Sequence, residues 1–292
     1  MTAFQVLAQP PDPQWLRTRV YGGDILVVRG GPPARRLVDH FAAILRSAFE
    51  SQDPPRAQFT LERDTWMTRV GELRSFCKRD AQARELMAGL FAHFGLEAER
   101  TAADVLNLRC QPHEPEPGPD PRHTLGAHRD TWASNVYQQI NWWMPVFPID
   151  AERTIRFLPY YWLRPIANDS AEWDLEQVRE EVRAARREGR APRIRNVPEP
   201  TATPDLAHTV PVVVEPGDVL LFSGAHLHAS VPNASGLSRF SIEMRSADTV
   251  DAGRGIGAPN VDGRAPWVAW HWFRRLDSGA PMSDADAPAG RG

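Results

Sequence analysis

Two short stretches carry side chains of the kind that hold a metal ion. In His128-Arg129-Asp130 an imidazole and a carboxylate stand two positions apart. On a strand end, residues i and i+2 point to the same face, so both reach one ion. Two histidines and one carboxylate on one side of a metal leave the opposite positions open, as an iron centre that takes both an oxoacid and dioxygen requires. The second histidine must come from another strand, and Ala225-His226-Leu227-His228-Ala229 offers two candidates. A His-x-Asp tripeptide alone arises easily by chance, so the weight falls on the residues beyond the second histidine.

Those residues alternate: Arg239, Ser241, Glu243 and Arg245 on one face, Phe240, Ile242 and Met244 on the other. That period of two predicts a strand. It is expected beside the histidine strand, across the short loop 232–237, with its polar face lining the mouth of a barrel that holds the metal. A guanidinium deep in such a mouth is costly unless it meets a carboxylate, which its planar fork matches bidentately. The distal carboxylate of 2-oxoglutarate answers that need.

The elements that must position these residues are legible in outline. An apolar run, Ile25 to Val28, between Gly22-Gly23 and Gly30-Gly31-Pro32-Pro33 predicts an early strand. Leu37, Phe41, Ile44, Leu45, Ala48 and Phe49 then recur at helical spacing, with the two prolines suited to the first turn. Two more helices are expected at about 61–77 and 80–94. Strands are expected next at about 105–109, 125–129, 138–145, 154–158, 209–214, 218–223, 225–231 and 238–245, which indicates a sandwich or barrel. A Pro-rich loop, 111–122, and a charged helix at about 174–190 interrupt them; the helix is either solvated surface or a lid over the site.

Taken in order, His128-Arg129-Asp130, Gly217-Asp218-Val219-Leu220-Leu221-Phe222, His228-Ala229-Ser230-Val231-Pro232-Asn233 and Arg239-Phe240-Ser241 resemble the phytanoyl-CoA dioxygenase-like branch of the 2-oxoglutarate/iron(II) oxygenases. The resemblance covers roughly residues 104–250. It implies a mostly β fold with added helices: a double-stranded β-helix, or cupin-like jelly roll, with N-terminal helices packed on one sheet. In that family an asparagine comes after the distal histidine, and the co-substrate arginine of an Arg-x-Ser pattern comes about eleven positions on; His228 and Arg239 have that spacing and His226 does not. The implied metal ligands are therefore His128, Asp130 and His228, with Arg239 and Ser241 on the oxoacid.

The resemblance further implies Fe(II), 2-oxoglutarate and dioxygen as cofactors, and hydroxylation of an unactivated C–H bond of a small molecule with release of succinate and CO2. Tailoring of a natural product is one such setting. Desaturation or oxidative dealkylation would use the same residues. Halogenation is not expected, because halogenating relatives lack the carboxylate that Asp130 provides. Many members also have a Gly-rich strand and a Pro-Gly-Ser-His turn, whereas this chain has Thr154-Ile155-Arg156-Phe157-Leu158-Pro159-Tyr160-Tyr161-Trp162. The substrates of the family's lipid-directed members are accordingly not carried over.

Further residues are candidates with a plainer reading beside each. On the strand 138–145, Gln139, Asn141 and Trp143 share a face, and the two amides either donate to the oxoacid or make ordinary cross-strand hydrogen bonds. Trp132, Trp143, Tyr160 and Trp162, with neighbouring Tyr161, are candidates for a substrate wall or are core. Arg129 and His226 are candidates for substrate contact or for structural pairing, and His123 is expected in a loop. The apolar stretch 267–273 must dock on its own domain or on a partner.

Composition sets the remaining bounds. With 42% hydrophobic residues, 24% charged residues and a net charge of −3, nothing calls for nucleic acid or an anionic membrane. Cys77 and Cys110 lie far apart outside any CxxC pattern, which argues against a disulfide scaffold or thiolate zinc site. No basic and apolar leader opens the chain, and no apolar run approaches the ~20 residues that span a bilayer, so a cytoplasmic location is expected. One domain is expected over 1–276: helical at about 32–96, a barrel at about 104–250, a helical insertion at about 168–200 and a disordered tail at 277–292. The partner is a small-molecule substrate, with the oligomeric state left open. Two other classes compete: a zinc-binding cupin-like isomerase or hydrolase, and a non-catalytic binding module. Neither has a use for Arg239 and Ser241.

Overall fold

The computed structural model describes residues 2–114, 124–190, 192–194 and 197–286. The chain opens with β1 (Phe4–Leu7), α1 (Pro13–Tyr21) and β2 (Ile25–Arg29), and β1 runs parallel to β2. Asp12 caps α1 by accepting from the Trp15 amide, and Pro13 stands where a missing N–H costs nothing. Neither β1 nor α1 has enough apolar periodicity to announce itself in sequence. Three longer helices come next: α2 (Gly31–Phe49), α3 (Arg63–Cys77) and α4 (Ala81–His93). The expected stripe of α2 is buried through Leu37, Phe41, Leu45 and Phe49.

The rest of the chain alternates strands and short helices. After β3 (Thr101–Ala103) and β4 (Asn107–Gln111) come α5 (Thr131–Ser134), β5 (Ile140–Pro145) and β6 (Ile155–Phe157). Helix α6 (Leu175–Glu188) precedes β7 (Val210–Val212), β8 (Asp218–Ser223), β9 (His228–Ser230) and β10 (Arg239–Asp248). Last are α7 (Thr249–Arg254) and β11 (Arg274–Arg275).

Two sheets result. The larger has the order β1-β2-β8-β5-β10-β3-β11, with β4 also paired to β10; the smaller has the order β7-β6-β9. From β4 onward the chain crosses repeatedly between them: β4 in the large sheet, a single bridge from His128 to His228 of the small one, β5 in the large, β6 and β7 in the small, then β8, β9 and β10 in turn. The described residues close no barrel.

Opposite faces of the large sheet explain the layering. Trp142, Met144, Leu221, Phe240, Ile242 and Met244 face the helices, where Trp142 meets Phe91 and Phe94 edge-on with ring centroids 4.9 Å away in each case. Trp143, Leu220 and Phe222, one position out of phase, face Ile155, Phe157 and Val212 of the small sheet. Each such side chain stabilises the fold by ~1.5–3 kcal/mol when fully buried. The site lies in the gap between the sheets.

Several expectations need correction. Strands β9 and β10 are not neighbours; they belong to different sheets, and the loop 232–237 carries the chain from one to the other. The expected strand at 125–129 reduces to the His128 bridge, the one at 105–109 is found two residues later as β4, and β3 was not foreseen. Met282, in the stretch expected as a tail, is buried against Trp270 and Phe273 of the 267–273 stretch. The Pro-rich loop from 115 on, His123 and the tail beyond 286 lie outside the described residues. Cys77 and Cys110 are buried and unpaired. Among the described residues, no helix is long and apolar enough to cross a membrane.

Candidate metal centre

His228 begins β9, and its backbone exchanges hydrogen bonds of 2.9 and 3.0 Å with that of His128, bringing the two rings to a centroid distance of 4.3 Å. Asp130 arrives differently from the strand-end expectation. Its backbone is helical, φ −62° and ψ −31°, at the turn into α5, and this bend rather than a shared pleat swings the carboxylate toward the histidines. Oδ1 then lies 3.6 Å from His128 Nε2, and one ligand atom from each of His128, Asp130 and His228 falls within 4.8 Å of the others.

Backbone carbonyls orient both rings. His128 Nδ1 is 2.8 Å from the Gly126 carbonyl oxygen and His228 Nδ1 is 3.0 Å from that of His226. A carbonyl only accepts, so each Nδ1 carries the hydrogen and each Nε2 keeps its lone pair free for an ion. Burial, reinforced by the neighbouring His128, pulls His228 down to about 4, so it is neutral at pH 7. Burial alone would push the Asp130 carboxyl up, but its contact with His128 and the nearby His228 hold it below the ordinary carboxylate range. A neutral His228 beside an ionised carboxylate matches the protonation states a divalent metal needs.

These atoms open into a cavity of about 370 Å³. Its walls include Asn141 and Trp143 of β5, Arg239, Glu243 and Arg245 of β10, Asn107 and Arg109 of β4, and Arg74 and Lys78 of α3 with its cap. Arg245 pairs with Asp104, and Arg109 lies 3.5 Å from Glu243. Arg239 is buried beside the Trp143 ring, its guanidinium carbon 5.6 Å from the centroid, and its Nε and Nη1 have no hydrogen-bond partner among the described residues. Burial pulls it down to about 10, still protonated at neutral pH. Ser241 Oγ, one step along the same face, is likewise buried and unpartnered. Buried polar atoms are nearly always paired, so the unpaired Arg239 guanidinium in the cavity wall points to a ligand. The residues present therefore fit a divalent metal with a carboxylate-bearing co-substrate beside it.

The other candidates divide sharply. Gln139 and Asn141 face the site, and both side-chain amides donate to Asp130 Oδ2, the former at 3.2 Å. Of the six residues expected at the substrate, Trp143 lines the cavity. The remaining five do not, each for a visible reason. Trp132 packs with Leu158, Ile166 and Leu227 and donates to Asp262 at 2.7 Å. Arg129 is tied to Asp262 at 3.1 Å and to three main-chain carbonyls. Trp162 stacks on His226 at 4.3 Å behind the cavity, and burial drives His226 down to about 3. Tyr160 is 51% exposed and carries Arg164 over its ring, while the Tyr161 hydroxyl accepts from the Asp205 amide.

Sequence reasoning missed Arg74, Lys78 and Arg109 in the cavity wall and Asp262 as the counter-ion of Arg129. Charges on a helix edge look the same in sequence whether they meet solvent or a cavity, and Asp262 sits in an irregular stretch without periodicity. Helix α6 does more than shed water: Val178 and Ala185 are buried, and Val182 reaches the cavity wall.

Comparison with known proteins gives the family. Among solved structures the chain is similar to the epimerase SnoN in complex with Fe3+, alpha ketoglutarate and nogalamycin RO, at 14% identity and a TM-score of 0.45, covering 95% of this chain and 99% of that one. It is also similar to AviO1 from Streptomyces viridochromogenes Tue57 (18% identity, TM-score 0.35, 79% and 88% covered) and to the non-heme monooxygenase ThoJ (14%, 0.37, 74% and 70%). No curated protein matches the chain in sequence. The family model of phytanoyl-CoA dioxygenase matches residues 26–241, most of the chain. The chain belongs to the phytanoyl-CoA dioxygenase family and is an enzyme of the kind that uses iron(II), 2-oxoglutarate and dioxygen.

Proposed function

We propose that this enzyme hydroxylates an unactivated C–H bond of a small molecule, with His128, Asp130 and His228 holding iron(II) and Arg239 and Ser241 receiving 2-oxoglutarate. The observation that carries the reading is the buried, unpartnered guanidinium of Arg239 in the same cavity as the three ligand atoms. When bound, iron, 2-oxoglutarate and dioxygen together supply an oxidant able to take hydrogen from an unactivated carbon, and succinate and CO2 leave.

The chain's own side chains bind, orient and shield. Two Nε2 atoms and one carboxylate oxygen approach from one side, leaving the far side toward the cavity. Arg239 offers a rigid fork to the distal carboxylate, and the Trp143 ring beside it keeps water from that pairing. Ser241 supplies a hydroxyl from the same strand face. Val182 of α6 and Val197 give the opposite wall an apolar surface for a substrate body. The volume suits a small molecule such as a natural-product intermediate. The alternating passage of the chain between two sheets supports a double-stranded β-helix, in which His128, β9, β6 and β7 form one wall and β4, β10, β5 and β8 the other.

The test is anaerobic titration of the iron(II)-loaded protein with 2-oxoglutarate, following the weak visible metal-to-ligand charge-transfer band. The band is expected in the native protein, lost in His128→Ala, and shifted to much higher 2-oxoglutarate in Arg239→Ala. A native protein without the band overturns the reading and favours the zinc-binding alternative.

A further inference from the structure

We infer that Gln139 and Asn141, given room by Gly224, are positioning residues that hold one oxygen of Asp130 so that only the other is presented to the metal. The inference rests on the metal assignment above and goes beyond it, because it gives the two amides a task other than contact with the oxoacid.

The geometry is specific to one oxygen. Gln139 Nε2 donates to Asp130 Oδ2 at 3.2 Å, and Asn141 Nδ2 donates to the same atom. Gln139 Nε2 also lies 2.7 Å from Asn141 Oδ1, which links the two amides to each other. Oδ1, the oxygen without an amide donor, is the one that faces His128 Nε2 at 3.6 Å. The carboxylate thus has a tethered side and a free side, and the free side points to the histidines.

Asp130 needs such a tether. It lies in a helical turn, so no strand pleat fixes its direction. A carboxylate free to rotate can grasp a cation through both oxygens and take a position that the co-substrate requires. Two hydrogen bonds on Oδ2 oppose that rotation and favour attachment through Oδ1 alone. Strand β5 supplies rigidity: Asn141 is paired in register with Phe222 on one side and Arg245 on the other.

Gly224 is the third part of the device. Its amide donates to the Gln139 carbonyl and its carbonyl accepts from the Thr131 amide, each at 3.2 Å, so it bridges the segments that carry Gln139 and Asp130. A Cβ at this position would fall 2.7 Å from Gln139 Nε2, 3.0 Å from Gln139 Cδ and 3.3 Å from Asp130 Cβ. A larger residue must displace the end of the Gln139 side chain, the part that reaches the carboxylate. The glycine thus makes room for the amide by close approach, without any unusual φ.

The experiment measures two quantities on the full chain: the dissociation constant for cobalt(II), by competition with a chromophoric chelator, and the half-saturating concentration of 2-oxoglutarate at saturating metal. The variants are Gln139→Leu, Asn141→Leu, Gly224→Ala, and Asn141→Gln as the conservative rescue. Thermal unfolding of the metal-free forms checks that each is folded, and Gly224→Ala keeps both amides in the chain should a leucine variant fail that check. Loss of such supporting hydrogen bonds typically weakens metal binding ~10–100-fold, and that weakening is expected in the two leucine variants and in Gly224→Ala, with partial recovery in Asn141→Gln. The visible bands of the cobalt(II) form should shift in the same variants as the carboxylate changes its mode of attachment, while half-saturation by 2-oxoglutarate stays within about twofold. Unchanged metal affinity overturns the inference, and unchanged metal affinity with a large rise in half-saturation returns the amides to the oxoacid. A native chain that binds cobalt(II) but not 2-oxoglutarate would sink the oxygenase reading and leave this one standing; a native chain that binds no divalent metal overturns both.

Discussion

Arg129 and Arg239 are buried to nearly the same depth, 2% and 3% exposed, in regions built for opposite purposes. Around Arg129 the chain spends a whole loop system on the guanidinium: Nε meets Asp262, Nη1 the Ala225 carbonyl, and Nη2 the carbonyls of Tyr161 at 2.6 Å and Arg164 at 3.1 Å. Asp262 in turn receives the Trp132 indole and the Ile166 amide, so one ion pair locks four segments together. Around Arg239 there is an aromatic face and a cavity, and Nε and Nη1 go without a partner among the described residues. Equal burial with unequal satisfaction separates a structural charge from one reserved for a ligand. A folded chain keeps the second kind only where something outside it completes the pairing.

The comparison breaks most visibly at Arg129. Replacing it with methionine fills much of the volume but leaves the Asp262 carboxylate buried without its counter-ion, a change that costs ~3–5 kcal/mol when one partner of a buried pair is removed. Urea denaturation of the metal-free protein should show that loss, while the fraction still folded binds 2-oxoglutarate as the native protein does. If Arg129→Met instead raised half-saturation by 2-oxoglutarate without loss of stability, Arg129 would belong to the site after all.

Arg239→Met should move stability in the other direction. The substitution removes a desolvated charge whose Nε and Nη1 make no hydrogen bond among the described residues, and relief of an unsatisfied buried group is worth ~1–3 kcal/mol. The metal-free variant should therefore unfold at higher urea than the native protein. Binding of 2-oxoglutarate should weaken by at least ~100-fold, since charge-assisted hydrogen bonds contribute ~1.5–3 kcal/mol each. A less stable Arg239→Met protein would mean that the guanidinium has a structural partner, and the contrast with Arg129 would fail.

Much of this site was legible in sequence, and the exceptions have physical causes. The period-two alternation of 239–245 announced both faces of β10, and the family's spacing to Arg239 pointed to His228, which the structure groups with His128 and Asp130. Gly and Pro punctuation placed β8 to the residue. What could not be read was anything decided by a partner far along the chain. Arg129 and Arg239 are both single arginines beside a histidine or an aromatic residue in sequence, and only the arrival of Asp262 distinguishes them. Gln139 and Asn141 could be assigned to the cavity face, but their acceptor depends on the turn at Asp130, which has no pattern of its own. The aromatic residues at 160–162 follow the end of β6 as expected, whereas Trp132 lies in α5 after a single bridge, and in both cases the surface they meet is set by loops that show no periodicity.

The finest division falls at Ser241, which shares the face and the burial of Arg239 but carries no charge. Its hydroxyl is unpartnered in the described fold, so Ser241→Ala removes a polar atom that makes no hydrogen bond among the described residues. Stability should change by no more than ~0.5 kcal/mol, or rise slightly. A neutral hydrogen bond to bound 2-oxoglutarate is worth ~0.5–1.5 kcal/mol, so half-saturation should rise by roughly 2–13-fold, far short of the effect at Arg239. Titration of the charge-transfer band in Ser241→Ala resolves a change of that size. No change would leave Arg239 as the sole anchor of the oxoacid and confine the ligand-reserved region of β10 to a single side chain; a loss as large as that in Arg239→Met would mean the hydroxyl is needed to aim the guanidinium itself.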